Sequence, residues 1–110
     1  VEAQVWIESN ISAQIKITEL ASRMGVSRRT FDRRFSSATG TSPRNYWQRQ
    51  RALLAKDLLE NTNLTISEIA YRVGYQDVGH FSRIFRREVS VGPSEYRATV
   101  RAKLFRSVVV

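Results

Sequence analysis

The amino-acid sequence predicts an all-α fold: seven helices that form two helix-turn-helix subdomains joined by a long linker helix. Apolar residues recur about every 3.6 residues along most of the chain, and no stretch shows the sustained alternation typical of a β-strand. A third observation is that one segment occurs twice. The expected subdomains are residues 1–41 and 62–104, with the linker helix at 42–61 and a tail at 105–110.

The first three helices are expected at about residues 1–11, 18–24 and 28–38. The candidates for burial in the first helix are Val5, Trp6 and Ile11. Gly25 should end the second helix, because glycine adopts the positive φ common just after a helix C-terminus. Ser27 is a suitable N-cap for the third, since its hydroxyl can accept a hydrogen bond from an unpaired backbone N–H.

The linker helix is the longest expected element. Ser42 can cap it, and Pro43 suits its first turn because the missing N–H would have no partner there. A length of about 16–18 residues gives a rod of about 25 Å. Its apolar positions at helical spacing are Tyr46, Trp47, Leu53, Leu54 and Leu58.

The last three helices are expected at about residues 66–73, 78–89 and 93–104. Thr65 and Glu68 match the capping box, in which two side chains satisfy backbone N–H groups at a helix start. Gly74 should end the fifth helix, Asp77 should cap the sixth, and Pro93 should open the seventh.

Residues 18–46 and 67–96 are two copies of one supersecondary unit. With one extra residue in the second copy, nine positions are identical: Glu19/Glu68, Ala21/Ala70, Arg23/Arg72, Gly25/Gly74, Phe31/Phe81, Arg33/Arg83, Phe35/Phe85, Pro43/Pro93 and Tyr46/Tyr96. Each copy has a short helix, a glycine-containing turn and a second helix, which is the helix-turn-helix arrangement. The small Ala21 and Ala70 lie where the two helices should cross.

The second helix of each copy has an apolar side and an Arg-bearing side, as a helical wheel at about 100° per residue shows. The apolar sides comprise Phe31, Phe35 and Ala38 in the third helix and Phe81, Ile84 and Phe85 in the sixth. The other sides comprise Arg29, Asp32, Arg33 and Ser36 in the third, and Gly79, Ser82, Arg83, Arg86 and Arg87 in the sixth, with His80 at the edge. A helix fixed by aromatic rings with a cationic side free can enter a DNA major groove.

The net charge of the chain also indicates a nucleic-acid partner. Eighteen Lys and Arg against ten Asp and Glu give a net charge of +8, which is expected of a nucleic-acid-binding protein, although a merely soluble basic surface would give the same count. With no Cys and one His, neither disulfides nor a metal site of ordinary ligand number can form. No apolar run suggests a membrane span or a signal peptide. The chain opens on Val, and we expect it to be a piece of a longer protein, although removal of an initial Met would also explain this start.

Arg33 and Arg83 occupy the same position in both copies and are predicted to contact bases. An Arg can donate two hydrogen bonds to O6 and N7 of guanine, which discriminates against other bases by ~1–3 kcal/mol. Arg34, Arg86 and Arg87 lie further round and are predicted to contact phosphates, although an exposed Arg is often simply solvated.

Two residues of the sixth helix leave alternatives open. Gly79 either permits a close approach to the groove wall or is a tolerated imperfection that costs about 1 kcal/mol relative to Ala. His80 either contacts a base or phosphate or is an exposed helix residue. Tyr75, aligned with Val26, is expected to pack in the turn.

The duplication, the long helix between the copies and the run VGYQDVGHFSRIFRREVSVGPSEYR resemble the AraC/XylS family of bacterial transcription regulators. The likeness covers nearly all of residues 1–104 and departs at Ser90 and Gly92, where the family has Gly, another residue and then Ser before the Pro, and at Lys16, where a capping box is missing. It implies that both subdomains bind as one unit to successive major grooves on one face of double-stranded DNA. The base-reading positions that it implies are Arg29, Asp32, Arg33, Val78, Gly79, His80 and Arg83. Phosphate contacts are expected from Ser27, Thr30, Arg34, Ser82, Arg86 and Arg87.

The resemblance also implies the protein's partners. They are an N-terminal portion that binds an effector and dimerises, of the subgroup with an amidase-like sensor domain, and RNA polymerase, which such regulators recruit as activators in the bacterial cytoplasm. No cofactor and no catalytic residue are expected.

Other functions are less well supported by the residues. An RNA-binding module would need surface aromatics for base stacking, whereas the Phe residues here follow core spacing. A protein-interaction module could use the same helices as docking surfaces. An enzyme would need a cluster of catalytic side chains in a pocket, and membrane-surface binding would need one strongly amphipathic basic helix.

Overall fold

The computed structural model describes residues 2–109, with side chains through residue 106. Within that range it contains seven helices and no strand, so the all-α prediction is confirmed. The helices are α1 (Glu2–Ser9), α2 (Ile17–Arg23), α3 (Arg28–Thr39), α4 (Pro43–Asn61), α5 (Ile66–Val73), α6 (Val78–Val89) and α7 (Pro93–Val109). The chain divides into two compact units, one ending at Gln50 and one beginning at Arg51, inside α4.

The predicted helix starts are confirmed by side-chain caps. The hydroxyls of Ser27, Ser42 and Thr65 and the Asp77 carboxylate each accept a backbone N–H two or three residues later, at 3.0–3.2 Å. Lys16 precedes α2 without a side-chain cap. Two helices are longer than expected: α4 has 19 residues, and α7 continues past 104 to Val109 because no glycine or proline interrupts it. Residue 110 of the expected tail lies outside the described range.

The core of the first unit packs α1, α2 and α3 against the beginning of α4. Its buried residues are Ala3, Ile7, Leu20, Ala21, Phe31, Phe35 and Trp47. The predicted burial of Val5 is wrong, because α1 turns Ala3 and Ile7 inward and leaves Val5 59% exposed. Trp6 and Ile11 are half-buried, and Ala38, placed on the apolar side of α3, is exposed near the helix end.

The core of the second unit packs the end of α4 against α5, α6 and α7. Its buried residues are Ala55, Leu59, Ile69, Ala70, Val73, Tyr75, Phe81, Ile84 and Phe85. Leu53 is 51% exposed, while Leu54 and Leu58 are half-buried. The inward side of α4 here is formed by Ala55 and Leu59, which lie one helical turn apart.

The two units share one architecture, which extends beyond the duplicated segment. α1 is the counterpart of the end of α4: Tyr46 donates a hydrogen bond to Glu8 in the first unit, and Tyr96 donates one to Glu60 in the second. Burial raises the pKa of Tyr96 to about 12, and the hydrogen bond to Glu60 makes a smaller contribution to this rise. The connection after this first helix is seven residues long in one unit (10–16) and four in the other (62–65), so the two units differ in length before the duplicated segment.

The residue after each of these tyrosines holds that connection in place. Trp47 donates its indole N–H to the carbonyl of Ile11 at 2.8 Å. Arg97, at the equivalent position, donates to the carbonyls of Leu59, Thr62 and Leu64 at 3.1, 3.2 and 2.7 Å. In both units, therefore, the residue after the tyrosine fixes the connection that precedes the helix-turn-helix by donating hydrogen bonds to backbone carbonyls.

The turn of each helix-turn-helix depends on a glycine with positive φ, +76° at Gly25 and +112° at Gly74. A Cβ at Gly25 would have no neighbour within 4 Å. A Cβ at Gly74 would lie 2.7 Å from the guanidinium carbon of Arg51. That guanidinium lies over the Tyr75 ring, 5.0 Å from its centroid, and its burial lowers the pKa of Arg51.

Gly74→Ala is therefore expected to destabilise the protein more than Gly25→Ala. The change at Gly25 adds backbone strain of about 1 kcal/mol. At Gly74 the strain is greater, because its φ of +112° lies farther from the left-handed helical region than the +76° of Gly25, and the new Cβ also displaces Arg51, for about 2–3 kcal/mol in total. Urea unfolding of both variants measures the difference. In an Arg51→Ala background the difference should shrink to the part caused by the backbone; a difference that does not shrink would show that Arg51 does not contribute to it.

Candidate nucleic-acid interface

The Arg-bearing side of α3 is fixed by two buried phenyl rings. Phe31 and Phe35 are 4% and 5% exposed, with ring centroids 5.9 Å apart. Because these rings face the core, the side chains of Arg29 and Arg33 are exposed on the other side, as predicted from the helical wheel. Among the described residues, neither has an ion-pair partner.

Asp32, which is predicted to read a base, forms an ion pair with Arg28, a residue that was not predicted to belong to the site. Arg28 donates from Nε to both carboxylate oxygens of Asp32, at 3.1 and 3.0 Å, one helical turn apart. The spacing of four residues between an Arg and an Asp could have indicated this pair from the sequence. Asp32 remains half-buried beside Arg33 and can still accept a hydrogen bond.

The residues predicted to contact phosphates in the first unit lie in two places: Ser27 and Thr30 at the beginning of α3, and Arg34 on its flank. The Ser27 hydroxyl is the N-cap of α3 and also donates to the Thr30 hydroxyl at 3.1 Å. Both side chains are therefore at the N-terminus of α3, where backbone N–H groups favour an anion. Arg34 is exposed and borders an apolar hollow of about 350 Å³ with Phe31 and Phe35, so it lies on the flank of α3.

The Arg-bearing side of α6 is fixed in the same way as that of α3. Phe81 and Phe85 are each 1% exposed, with centroids 5.8 Å apart, and Phe85 meets Tyr96 edge to face. Phe35 meets Tyr46 with the same geometry in the first unit. Arg83 is exposed, in the position within its unit that Arg33 occupies in the other.

The beginning of α6 carries the other predicted base-reading residues. Val78 is 41% exposed, so its side chain lies at the surface. A Cβ added at Gly79 would lie 3.4 Å from Asp77 Oδ1 and 3.5 Å from Arg83 Nη1, which is ordinary contact. No clash with the described residues therefore requires glycine there. The bare backbone is available to a partner at the end of the helix that would enter a groove.

His80 is not a freely exposed helix residue. It is half-buried and meets the ring of Tyr75 edge to face, with centroids 5.3 Å apart. Tyr75 is 6% exposed, which confirms that it packs in the turn, and burial raises the pKa of its hydroxyl while the charge of Arg51 opposes that shift.

Three of the predicted site residues line one hollow. Ser82, Arg83 and Arg86 border a space of about 300 Å³ whose opposite wall is the beginning of α7. Arg86 pairs across it with Glu95 at 3.1 Å, a contact that the sequence analysis missed. Arg87 is exposed and lies 3.5 Å from the carboxylate of the adjacent Glu88.

Both helices are cationic. α3 contains four Arg against one Asp, and α6 contains three Arg against one Glu. Among residues 2–109, no group of three His, Asp or Glu side chains is placed to hold a metal ion. None of the helices in the described part of the chain is long and apolar enough to cross a membrane.

Comparison with known proteins identifies the family. A family model described as a helix-turn-helix domain matches residues 20–99. A solved structure from Rhodopseudomonas palustris, described as a probable AraC family transcriptional regulator, is 30% identical, with a TM-score of 0.77 over 89% of this chain and 93% of that one. The chain belongs to the AraC/XylS family of helix-turn-helix transcription regulators.

Two further proteins are similar to this chain. The transcriptional activator RhaS of an Enterobacter species is 35% identical over 96 residues, which are 87% of this chain and 34% of RhaS. The chain thus spans about a third of the length of that curated relative. The DNA-binding domain of AdpA, solved in complex with a target DNA, is 38% identical with a TM-score of 0.89 over 93% of this chain and 92% of that one.

Proposed function

We propose that this chain is the DNA-binding domain of a bacterial transcription regulator and binds double-stranded DNA sequence-specifically. α3 and α6 are the two recognition helices, and they enter successive major grooves on one face of the DNA. The observation that carries the proposal is the equivalence of the two units. In each, a pair of buried Phe residues four apart holds the second helix of the motif and leaves an Arg exposed at the same position.

The likeness to the AdpA domain, which was solved with its target DNA, supports this assignment. In the proposed complex, the residues that read bases are Arg29, Asp32, Arg33, Val78, Gly79, His80 and Arg83. Those that contact phosphates are Ser27, Thr30, Arg34, Ser82, Arg86 and Arg87. The cationic surface attracts any duplex, whereas sequence preference comes from the base edges.

The proposal extends to the rest of the protein. Because the chain spans only about a third of the RhaS relative, which is described as an activator, we propose a longer regulator with an effector-binding and dimerising portion before this domain. RNA polymerase is its proposed partner and the cytoplasm its proposed location. Neither catalysis nor a cofactor forms part of the proposed function.

Competition in a mobility-shift assay tests the class of partner. A labelled random duplex should be displaced by unlabelled duplex DNA, and much less by single-stranded RNA at an equal concentration of phosphate, because no row of exposed aromatic side chains is expected to stack bases. Equal or better competition by RNA would favour an RNA-binding module. Failure to shift any duplex at low salt would favour a protein-interaction module.

A further inference from the structure

One ion pair joins the proposed second recognition helix to the helix that follows it. Arg86 Nη2 lies 3.1 Å from Glu95 Oε1, and the two side chains are 61% and 63% exposed. Together with Ser82 and Arg83, Arg86 borders the hollow of about 300 Å³ between α6 and the beginning of α7. One of the cations proposed to contact DNA is therefore already paired with a carboxylate in the free protein.

Gly92 leaves room for the Arg86–Glu95 pair because it has no side chain. A Cβ added at Gly92 would lie 3.0 Å from Arg86 Nη2 and 3.8 Å from Glu95 Oε1, which is tighter than side chains normally tolerate at the first of these atoms. Because Gly92 has no side chain, the Arg86 guanidinium can pass over its backbone and reach Glu95 in the first turn of α7.

The first unit lacks the pair. At the positions equivalent to Arg86, Gly92 and Glu95 it has Ser36, Ser42 and Asn45. The first unit nevertheless forms the same helices and the same Phe–Tyr contact, 5.4 Å between Phe35 and Tyr46 against 5.8 Å in the second. The fold of the unit does not require the ion pair.

We propose that Glu95 competes with DNA phosphates for Arg86 and thereby withholds this cation from sequence-independent binding. This inference rests on the proposed function. A carboxylate and a phosphate offer similar charged acceptors to a guanidinium, so either can take Arg86. On unrelated DNA the pair stays closed, and one cation is withheld from sequence-independent binding. At the protein's own site, the base contacts of Arg83 seat α6 in the groove, where a phosphate replaces Glu95.

Salt dependence of binding by Glu95→Gln tests this role. On random-sequence duplex, the variant should bind more tightly than the parent, and the slope of log K against log salt should steepen by about 0.9, the value for one added phosphate contact. Between 200 and 50 mM salt this slope adds a factor of about 3.5 in affinity. On a duplex carrying the selected site, the slope should stay unchanged, and the affinity should rise by at least as large a factor as on random duplex, because binding no longer requires the Arg86–Glu95 pair to open.

The control is Glu19→Gln, which removes the same charge and a comparable exposed Arg–Glu pair, 3.3 Å between Arg23 and Glu19 in the first unit. Glu95→Asp is a second test, since it keeps the charge but shortens the reach to Arg86, and it should also steepen the slope on random duplex. Thermal unfolding of each variant verifies that α7, whose first turn contains Glu95, is intact.

Three outcomes would overturn the inference. They are a slope for Glu95→Gln equal to that of Glu19→Gln, an unchanged slope for Glu95→Asp, or a gain that persists in an Arg86→Ala background. The last would mean that net charge, and not release of Arg86, causes the gain. A parent protein that binds no duplex would instead contradict the proposed function, so the two failures are distinguishable.

Discussion

Replacing Phe81 by alanine is expected to lower the free energy of unfolding of the second unit by about 3–5 kcal/mol, the usual cost of removing a fully buried phenyl ring. Phe81 is 1% exposed and lies between two other rings, with centroids 5.8 Å from both Tyr75 and Phe85. These neighbours belong to the turn and to the same helix, so they cannot collapse into the space without rotating α6. The variant should also lose DNA binding, because the orientation of Arg83 depends on that rotation.

Urea unfolding followed by far-UV circular dichroism measures this cost. Phe105→Ala is the matched control, since Phe105 is 68% exposed and its loss should change stability by no more than about 0.5 kcal/mol. Trp6 and Trp47 both lie in the first unit, so tryptophan fluorescence follows that unit separately. Equal losses for Phe81→Ala and Phe105→Ala would contradict the role assigned to the buried rings.

Arg83→Ala is expected to relax the base preference at one position of the binding site by ~1–3 kcal/mol, which is about 5- to 150-fold, because it removes two hydrogen bonds to a guanine edge. Arg33→Ala should have the same effect at a position in the other half of the site. Both side chains are exposed, so neither substitution should change thermal stability appreciably. Mobility shifts on duplexes that vary one base pair at a time measure the preference.

Arg34→Ala is the control for these two variants. Arg34 lies next to Arg33 in the sequence but on the flank of α3, beside Phe31 and Phe35. Its loss should weaken binding to all duplexes by a similar factor and reduce the salt slope by about 0.9. A base-specific effect of Arg34→Ala would mean that the rotation of α3 in the groove differs from the one proposed.

Much of the fold could be predicted from the sequence because its signals are local. The caps at Ser27, Thr65 and Asp77 and the glycine at position 74 act within a few residues of themselves, so their sequence neighbourhood is sufficient. The apolar sides of α3 and α6 were likewise predicted, because two Phe residues four apart have few alternative orientations on an amphipathic helix.

The errors concern residues whose environment is set by distant parts of the chain. In α1 and α4, apolar residues occur on more than one side, and the sequence does not show which side the neighbouring helices cover. Val5 was therefore expected to be buried, whereas the small Ala3 is. In α4, likewise, the small Ala55 is buried and Leu53 is exposed. Alanine gives only a weak hydrophobic signal, although it permits the closest approach of two helices.

The exposure of the site residues could be predicted from the sequence, but two of their ion pairs were not predicted, and the base and phosphate contacts assigned to them stay predictions. The sequence identified the exposed sides of α3 and α6, because these follow directly from the buried Phe residues. It did not show that Arg28 holds Asp32 or that Glu95 holds Arg86. The first pair follows from helical spacing, but the second joins two helices across a turn at Gly92 and required the folded unit.

Selection of binding sites from random duplex DNA with the parent, Arg33→Ala and Arg83→Ala proteins tests whether α3 and α6 each read one half of the site. We expect two half-elements about one helical turn apart in the parent site, with each variant losing the preferred base in a different half-element. A single element in the parent, or loss of the same base in both variants, would contradict two equivalent recognition helices.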